Sequence, residues 1–318
     1  MNIRLIANPV ATGVTAGLID RVAGELGRAG DVELRTTERA GHAAELAALP
    51  GADVLVAMGG DGTANELVNG AAAGSTIAVL PAGATSVFAR QLGLPNRTLD
   101  AARIVADAIQ AGHTQSLGLG EANGRLFTFS AGMGLEAEAM RLVEEERVLR
   151  ADGRRPSDVH IVRAAVRTLR SDRFTLPERM TLEVDGHRMR ASYVAVANHH
   201  PYTYFGRIPV RTAPRAGLGT ALDVAAAGQL RARDLWRLPL YGLVWPRHAR
   251  GGDRRIAYLH DVAKLDVVAD EPMALQLDGE YLGRVDRVEL RYRPDRLRVV
   301  TPRPGASARG RARARAGT

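Results

Sequence analysis

The amino-acid sequence predicts a doubly wound α/β N-terminal domain followed by a β-rich second domain. Three observations predict it. Over residues 1–115, short β-like runs alternate with helix-like runs. From about residue 116, strand-like runs follow one another with turns between them. A buried run, DVLVAM (53–58), stops at GGDGT (59–63), and open parallel sheets hold their ligands at such strand ends.

Taken in order, IRLIA (3–7) reads as a buried strand and TAGLIDRVAGELGRAG (15–30) as an amphipathic helix ending at Gly30. VELRTT (32–37) and GHAAELAAL (41–49) are the second strand and helix. DVLVAM is the third strand, and ANELVNGAAAG (64–74) its helix, with Thr63 placed to cap it. TIAVLP (76–81), SVFARQLG (86–93) and LDAARIVADAIQAG (99–112) complete a set of parallel βαβ units. The second texture holds strands at 125–132, 180–186, 189–200, 222–228, 264–270, 273–283 and 287–294. Helical stretches interrupt it at 136–150, 160–170 and 230–245. The expected domains are 1–118 and 119–300, the last segment able to return to the first domain. Residues 301–318 are basic and low in complexity, the composition of a disordered tail.

Composition limits the chemistry. The chain has no cysteine, which excludes disulfides, thiolate nucleophiles and cysteine-ligated zinc, and fits a reducing compartment. Its net charge of +8 favours anionic partners, and Lys264 is its one lysine. No run reaches the ~18 apolar residues of a membrane span. MNIRLIANP is too short before Asn8-Pro9 for a signal sequence, so a cytoplasmic chain is expected. Trp236, Tyr241 and Trp245 could face a lipid or fill a core. His199 and His200 have no third ligand at zinc spacing. The basic tail lacks interleaved aromatics, so nucleic acid is not expected.

GGDGT carries the chemical question. Glycines at 59, 60 and 62 let backbone N–H groups approach a phosphate, and a helix N-terminus favours one. Asp61 would repel it unless a divalent metal bridges the two, or the carboxylate meets a donor group on the nucleotide or the protein. No G-x-x-x-x-G-K-[ST], V-A-I-K or H-R-D string is present, so phosphoryl transfer here would rely on backbone N–H groups, arginine and Mg²⁺.

GGDGTANELVNG (59–70) resembles the signature of the diacylglycerol kinase catalytic domain, in its bacterial lipid kinase branch. That branch is similar to sphingosine kinases and, more distantly, to NAD kinases and phosphofructokinases. Further stretches agree in order: ANPVATG (7–13), TTERAGHAAELA (36–47), LPAGATSVFARQLGLP (80–95), FSAGMGLEAE (129–138), NHHPYTYFGR (198–207), APRAGLGTALDV (213–224) and LQLDGEYLG (275–283). The resemblance spans about residues 3–300. It implies a nucleotide-binding domain of NAD kinase and phosphofructokinase type, a β-sandwich-like domain, and a cleft in which ATP phosphorylates a diacylglycerol-like lipid alcohol. It implies ATP contacts at Asn8, Pro9, Thr37, Gly59, Gly60, Asp61, Gly62, Thr63, Asn65, Glu66, Gly83, Ala84, Thr85 and Ser86. Mg²⁺ would reach Asp61 through the nucleotide. Asp278 and Glu280 match the pair from which a proton acceptor is drawn; Glu280 is favoured as acceptor, with Asp278 its partner. Glu136 and Asn198 fall on the substrate side. The 84–86 loop reads Ala-Thr-Ser where the family has T-x-N, and Thr220-Ala221 replaces an Asp-Gly, leaving Asp223 as the carboxylate for a second metal. Peripheral contact with an anionic membrane is expected, and the oligomeric state is left open between a monomer and a homodimer. The competing readings are an NAD kinase-like activity and a catalytically weak lipid- or nucleotide-binding protein.

Overall fold

The computed structural model describes residues 1–83, 85–150, 158–171, 175–205, 208–234, 249 and 255–302. They fall into two compact units, Met1–Gly118 with Pro294–Thr318, and Leu119–Arg293.

In the first unit, strands β1 (Asn2–Ala7), β2 (Asp31–Thr36), β3 (Val54–Gly59) and β4 (Thr76–Pro81) are all parallel. Their order is β2-β1-β3-β4. Every residue of β3 is buried, as its unbroken apolar run requires of a central strand. Helices α1 (Ala16–Leu26), α2 (His42–Ala48), α3 (Asp61–Gly70), α4 (Val87–Gln91) and α5 (Thr98–Gln110) connect and flank the strands. Thr15 caps α1 by accepting from Leu18 N, and Ile19, Val22 and Leu26 form its buried stripe. The chain steps from β1 outward to β2 and then back past β1 to β3. Right-handed crossovers therefore place α1 on one face and α2 and α3 on the other. The packing agrees: α1 lies against α5, and α2 against α3. The reversal makes the carboxyl ends of β1 and β3 a topological switch point, where such sheets bind ligands.

Strand β5 (Thr114–Ala122) leads into the second unit. There follow β6 (Arg125–Phe127), β7 (Ser130–Met133), α6 (Leu135–Arg150), α7 (Asp158–Ser171), β8 (Thr175–Leu176), β9 (Met180–Val184), β10 (His187–Ala191), β11 (Tyr193–Ala197), β12 (Thr203–Phe205), β13 (Ile208–Val210), β14 (Leu222–Ala227), β15 (Leu230–Arg231), β16 (Ile256–Val262), β17 (Lys264–Leu277) and β18 (Glu280–Val300). Strands run in the order β16-β14-β11-β7-β17, antiparallel throughout. β17 pairs with β9 through its first half and with β7 through its last. Alternate residues of these strands, among them Met180, Val194, Val224, Leu265 and Leu277, form one apolar core. The opposite face carries Ala195, Ala197 and Tyr202, packed with Ala213 and Ala216.

Several local expectations change. α3 begins at Asp61, with Gly60 as its N-cap and no side-chain cap, so Thr63 lies inside the first turn. The stretch from 230 opens as β15 and a 3₁₀ turn, Ala232–Asp234, not an α-helix. Residues 189–200 form two strands broken at Ser192, whose hydroxyl donates to the carbonyls of Ala227 and Gly228. β5 and β16 are additional strands. From Pro294 the chain is part of the first unit, where Arg298 and Val299 pair with Thr76 and Ile77 of β4. Ala84, Trp236, Tyr241, Trp245 and residues 303–318 lie outside the described residues.

Candidate functional site

The carboxyl ends of β1 and β3 are tied together by hydrogen bonds. Asn8 N donates to Met58 O at 2.9 Å, and its Nδ2 donates to Thr63 Oγ1 at 3.2 Å. Thr37 N donates to Ala7 O at 2.9 Å, and Ala82 N to Gly59 O at 2.8 Å. The glycines are needed for close approach rather than for unusual dihedrals. A Cβ on Gly59 would stand 2.5 Å from Thr63 Oγ1, and one on Gly83 would stand 2.5 Å from Gly60 Cα. Gly60 itself is extended, with φ −90° and ψ −174°. A Cβ on Gly62 would meet nothing within 4 Å, so the first turn of α3 opens outward there.

Asp61 turns the other way. Its Oδ2 accepts from Val87 N and its Oδ1 from Phe88 N, both at 3.0 Å. The carboxylate thus caps α4, where Ser86, with φ +47°, offers no side-chain cap of its own. Of the two routes by which the sequence could accommodate this charge, the structure shows donor groups on the protein. Glu66 does the same for α2: Oε1 accepts from Gly41 N at 2.9 Å and Oε2 from Ala43 N at 3.1 Å. Asn65 is buried, and its carbonyl and Oδ1 accept from Asn69 Nδ2 at 2.9 and 3.1 Å. Asn8, Thr37, Gly59 to Thr63 and Gly83 therefore gather at the strand ends, while Asn65 and Glu66 look into the packed helices. Pro9 is exposed beside Asn8, Thr85 is partly buried, and the buried Ser86 Oγ donates to Gly83 O at 3.3 Å.

In the second unit, Asp278 and Gly279 form a two-residue hairpin loop between Leu277 and Glu280, with φ +49° and +78°. These are type I′ dihedrals, for which Asp-Gly is a favoured pair. The Asp278 carboxylate is enclosed by donors. Oδ2 accepts from Thr128 N at 2.7 Å and Thr128 Oγ1 at 2.8 Å, and Oδ1 from Phe129 N at 2.8 Å and Ser130 N at 3.0 Å. Burial pushes its pKa up from the ordinary aspartate value, against the pull of these bonds. With four donors on its two oxygens, Asp278 fixes the hairpin. Glu280 is exposed and forms an ion pair with Arg125 Nη2 at 2.7 Å.

Beneath the hairpin lies a polar cluster. Tyr202 Oη donates to Glu136 Oε2 at 2.8 Å, and Gln276 Nε2 donates to Glu136 Oε1 at 3.3 Å and to Tyr202 Oη at 3.1 Å. Burial raises the Glu136 pKa to about 7, although the Tyr202 bond opposes it. Asn198 Nδ2 donates to Thr128 O at 3.1 Å, beside the Asp278 donors. His199 Nδ1 lies 2.9 Å from the same carbonyl, and burial lowers its pKa to about 4. Asp223, considered for a second metal, is fully buried and engaged by Tyr258 Oη, His260 Nδ1 at 2.7 Å and Asp261 N at 3.2 Å. Among the described residues no group of three or more His, Asp or Glu side chains can hold a metal ion.

Residues 2–122 match the diacylglycerol kinase catalytic domain. The match assigns residues 2–122 to that family. Diacylglycerol kinase of Bacillus subtilis is 43% identical over 96 residues, which are 29% of this chain and 31% of that protein. A solved structure of a diacylglycerol kinase from Bacillus anthracis covers 95% of this chain and 97% of its own, with a TM-score of 0.69 at 18% identity. An NAD kinase from Archaeoglobus fulgidus, solved with ATP, covers 95% of this chain with a TM-score of 0.50 at 13% identity. The structural likenesses establish an α/β fold related to both kinds of kinase.

The nucleotide that this family implies fits the first unit. α3 opens on glycine without a side-chain cap, and the Asp61 charge is turned onto α4, so its N-terminus can receive a phosphate. Mg²⁺ is ordinarily held by one or two carboxylates together with substrate phosphates, which suits a family site without an all-protein cage. The residues missed in the sequence are the partners. Gln276 was signalled only faintly, as a glutamine in the apolar strand MALQL, and Tyr202 not at all. Three of the four donors at Thr128 to Ser130 are backbone N–H groups and carry no side-chain signature.

Proposed function

We propose that this chain is an ATP-dependent lipid kinase that transfers the γ-phosphate of Mg-ATP to a hydroxyl group of a diacylglycerol-like lipid. The observation that carries the reading is the capping of α4 by Asp61, which leaves the glycine-lined end of α3 open at the switch point. Asn8, Pro9, Thr37, Gly59 to Thr63, Gly83, Thr85 and Ser86 would border the nucleotide. Bound Mg²⁺ supplies charge neutralisation between the phosphates. A lipid hydroxyl is a poor nucleophile, and Glu280, exposed and oriented by Arg125, is the carboxylate able to take its proton. Asp278 holds that carboxylate's hairpin in place, and Glu136 and Asn198 shape the substrate side. A chain of net charge +8 would meet such a substrate at an anionic membrane surface. No described helix is long and apolar enough to cross a membrane.

The test is transfer of labelled γ-phosphate from Mg-ATP to diacylglycerol, ceramide, sphingosine, phosphatidylglycerol and polyprenol, with NAD in parallel. Labelled diacylglycerol is expected, with kcat for Glu280→Gln lower by about a hundredfold or more, the usual scale of a lost general base. Label on NAD alone would replace this reading with NAD kinase activity. ATP binding without transfer to any acceptor would replace it with a binding protein.

A further inference from the structure

We infer that Gln276 is a positioning residue for the hairpin that presents Glu280, held in register by Glu136 and Tyr202. In its catalytic consequence this rests on the kinase reading above. Gln276 has no exposed surface and Tyr202 almost none. The two ends of the Gln276 amide face opposite requirements. Its Oε1 accepts from Gly279 N, the middle of the hairpin, at 2.9 Å. Its Nε2 donates to Glu136 Oε1 at 3.3 Å and Tyr202 Oη at 3.1 Å. The network sets the amide's orientation, because Gly279 N–H can only donate and so takes the amide oxygen, which leaves Nε2 for Glu136 and Tyr202. Glutamate at 276 would replace the Nε2 donor with a second carboxyl beside Glu136, and leucine would leave Gly279 N–H and Glu136 Oε1 without this partner.

The space around the amide is closed. A Cβ added to Gly132 would stand 3.1 Å from Gln276 Nε2 and 3.4 Å from Tyr202 Oη, so the β7 backbone packs directly on the cluster. Tyr202 is fixed in turn by Glu136 Oε2 at 2.8 Å. Asp278 pins one side of the loop to Thr128, Phe129 and Ser130, and Gln276 pins the other through Gly279. Glu280, next along the chain, starts from a loop held at both residues. Buried polar networks that are satisfied at every member fix one arrangement, which is what a proton acceptor needs.

Two measurements test this. In the absence of substrate, Gln276→Leu is expected to raise hydrogen exchange at the Gly279 amide by about tenfold or more, with Leu275 and Leu277 unchanged. Unchanged exchange at Gly279 would overturn the inference. In the kinase assay, Gln276→Glu should lower kcat by about tenfold or more with KM for ATP within about twofold. Adding Glu136→Gln restores one amide and one carboxylate, and should recover most of the loss. A double variant no better than Gln276→Glu alone would overturn the coupling. Exchange is read without turnover, so a parent protein that phosphorylates no lipid would remove the kinase reading and leave the inference to the Gly279 result.

Discussion

The hairpins at Asp185-Gly186 and Asp278-Gly279 share a dipeptide and a backbone. Both aspartates have φ +49° and both glycines φ +78°, and each pair closes a two-residue loop, between Val184 and His187 and between Leu277 and Glu280. The first is an exposed tip. The second places its carboxylate among four donors from Thr128, Phe129 and Ser130 and its glycine N–H on Gln276. Local sequence decides that each is a type I′ turn. What surrounds the turn decides whether the aspartate is a loop residue or a fixed part of a site.

The comparison can be broken most forcefully at Asp278. Asp278→Ala leaves several donors unpaired, and urea unfolding should show a loss of about 4 kcal/mol, since hydrogen bonds to charged groups are worth more than neutral ones. A loss below about 1 kcal/mol would mean that the two hairpins are equivalent.

The next effect is a pH dependence peculiar to the second hairpin's surroundings. Glu136 keeps its proton up to about 7 in the folded protein, against an ordinary value of 4.5. Its favourable contribution is therefore present in full below the unfolded value and is lost as pH rises toward 7. His199, lowered to about 4, has the opposite sign: its cost appears as pH falls below its ordinary 6.5. The two overlap, so the expected observable is a difference. Between pH 4.5 and 7.5, Glu136→Gln should lose about 2 kcal/mol less stability than the parent. Parallel pH curves for the two proteins would place Glu136 in an ordinary environment.

The smallest effect belongs to the exposed turn. Asp185→Ala should change stability by less than about 1 kcal/mol and leave phosphate transfer unaltered, the outcome expected for a surface position whose glycine still supplies the second left-handed residue. A change as large as that at Asp278 would show that turn chemistry alone accounts for both.

The legibility of this chain follows the same division. The four parallel strands of the first unit and the glycine-rich end of β3 were readable, because buried strands and amphipathic helices leave period and punctuation in the sequence. Glu280 and Asp278 were readable as a pair. The enclosure of Asp278 was not, because three of its four donors are backbone N–H groups that most residues at 128–130 would supply. Thr63 was misplaced as a cap because Gly60, which has no side chain, takes that position. Asp223 looked available for a metal, and only the fold brings Tyr258, His260 and Asp261 onto it.

By itself the sequence determined the strand-helix alternation and the family signature at GGDGT, both local properties of residues near one another in the chain; the run read as one strand over 273–283 is instead two strands joined by the turn at Asp278-Gly279. Tertiary structure alone decided that Asp61 faces α4, that Asp278 is enclosed while Glu280 is exposed, and that Gln276 joins Glu136 to the hairpin. Those contacts join residues 26 to 150 positions apart, and a carboxylate's role depends on which donors reach it there.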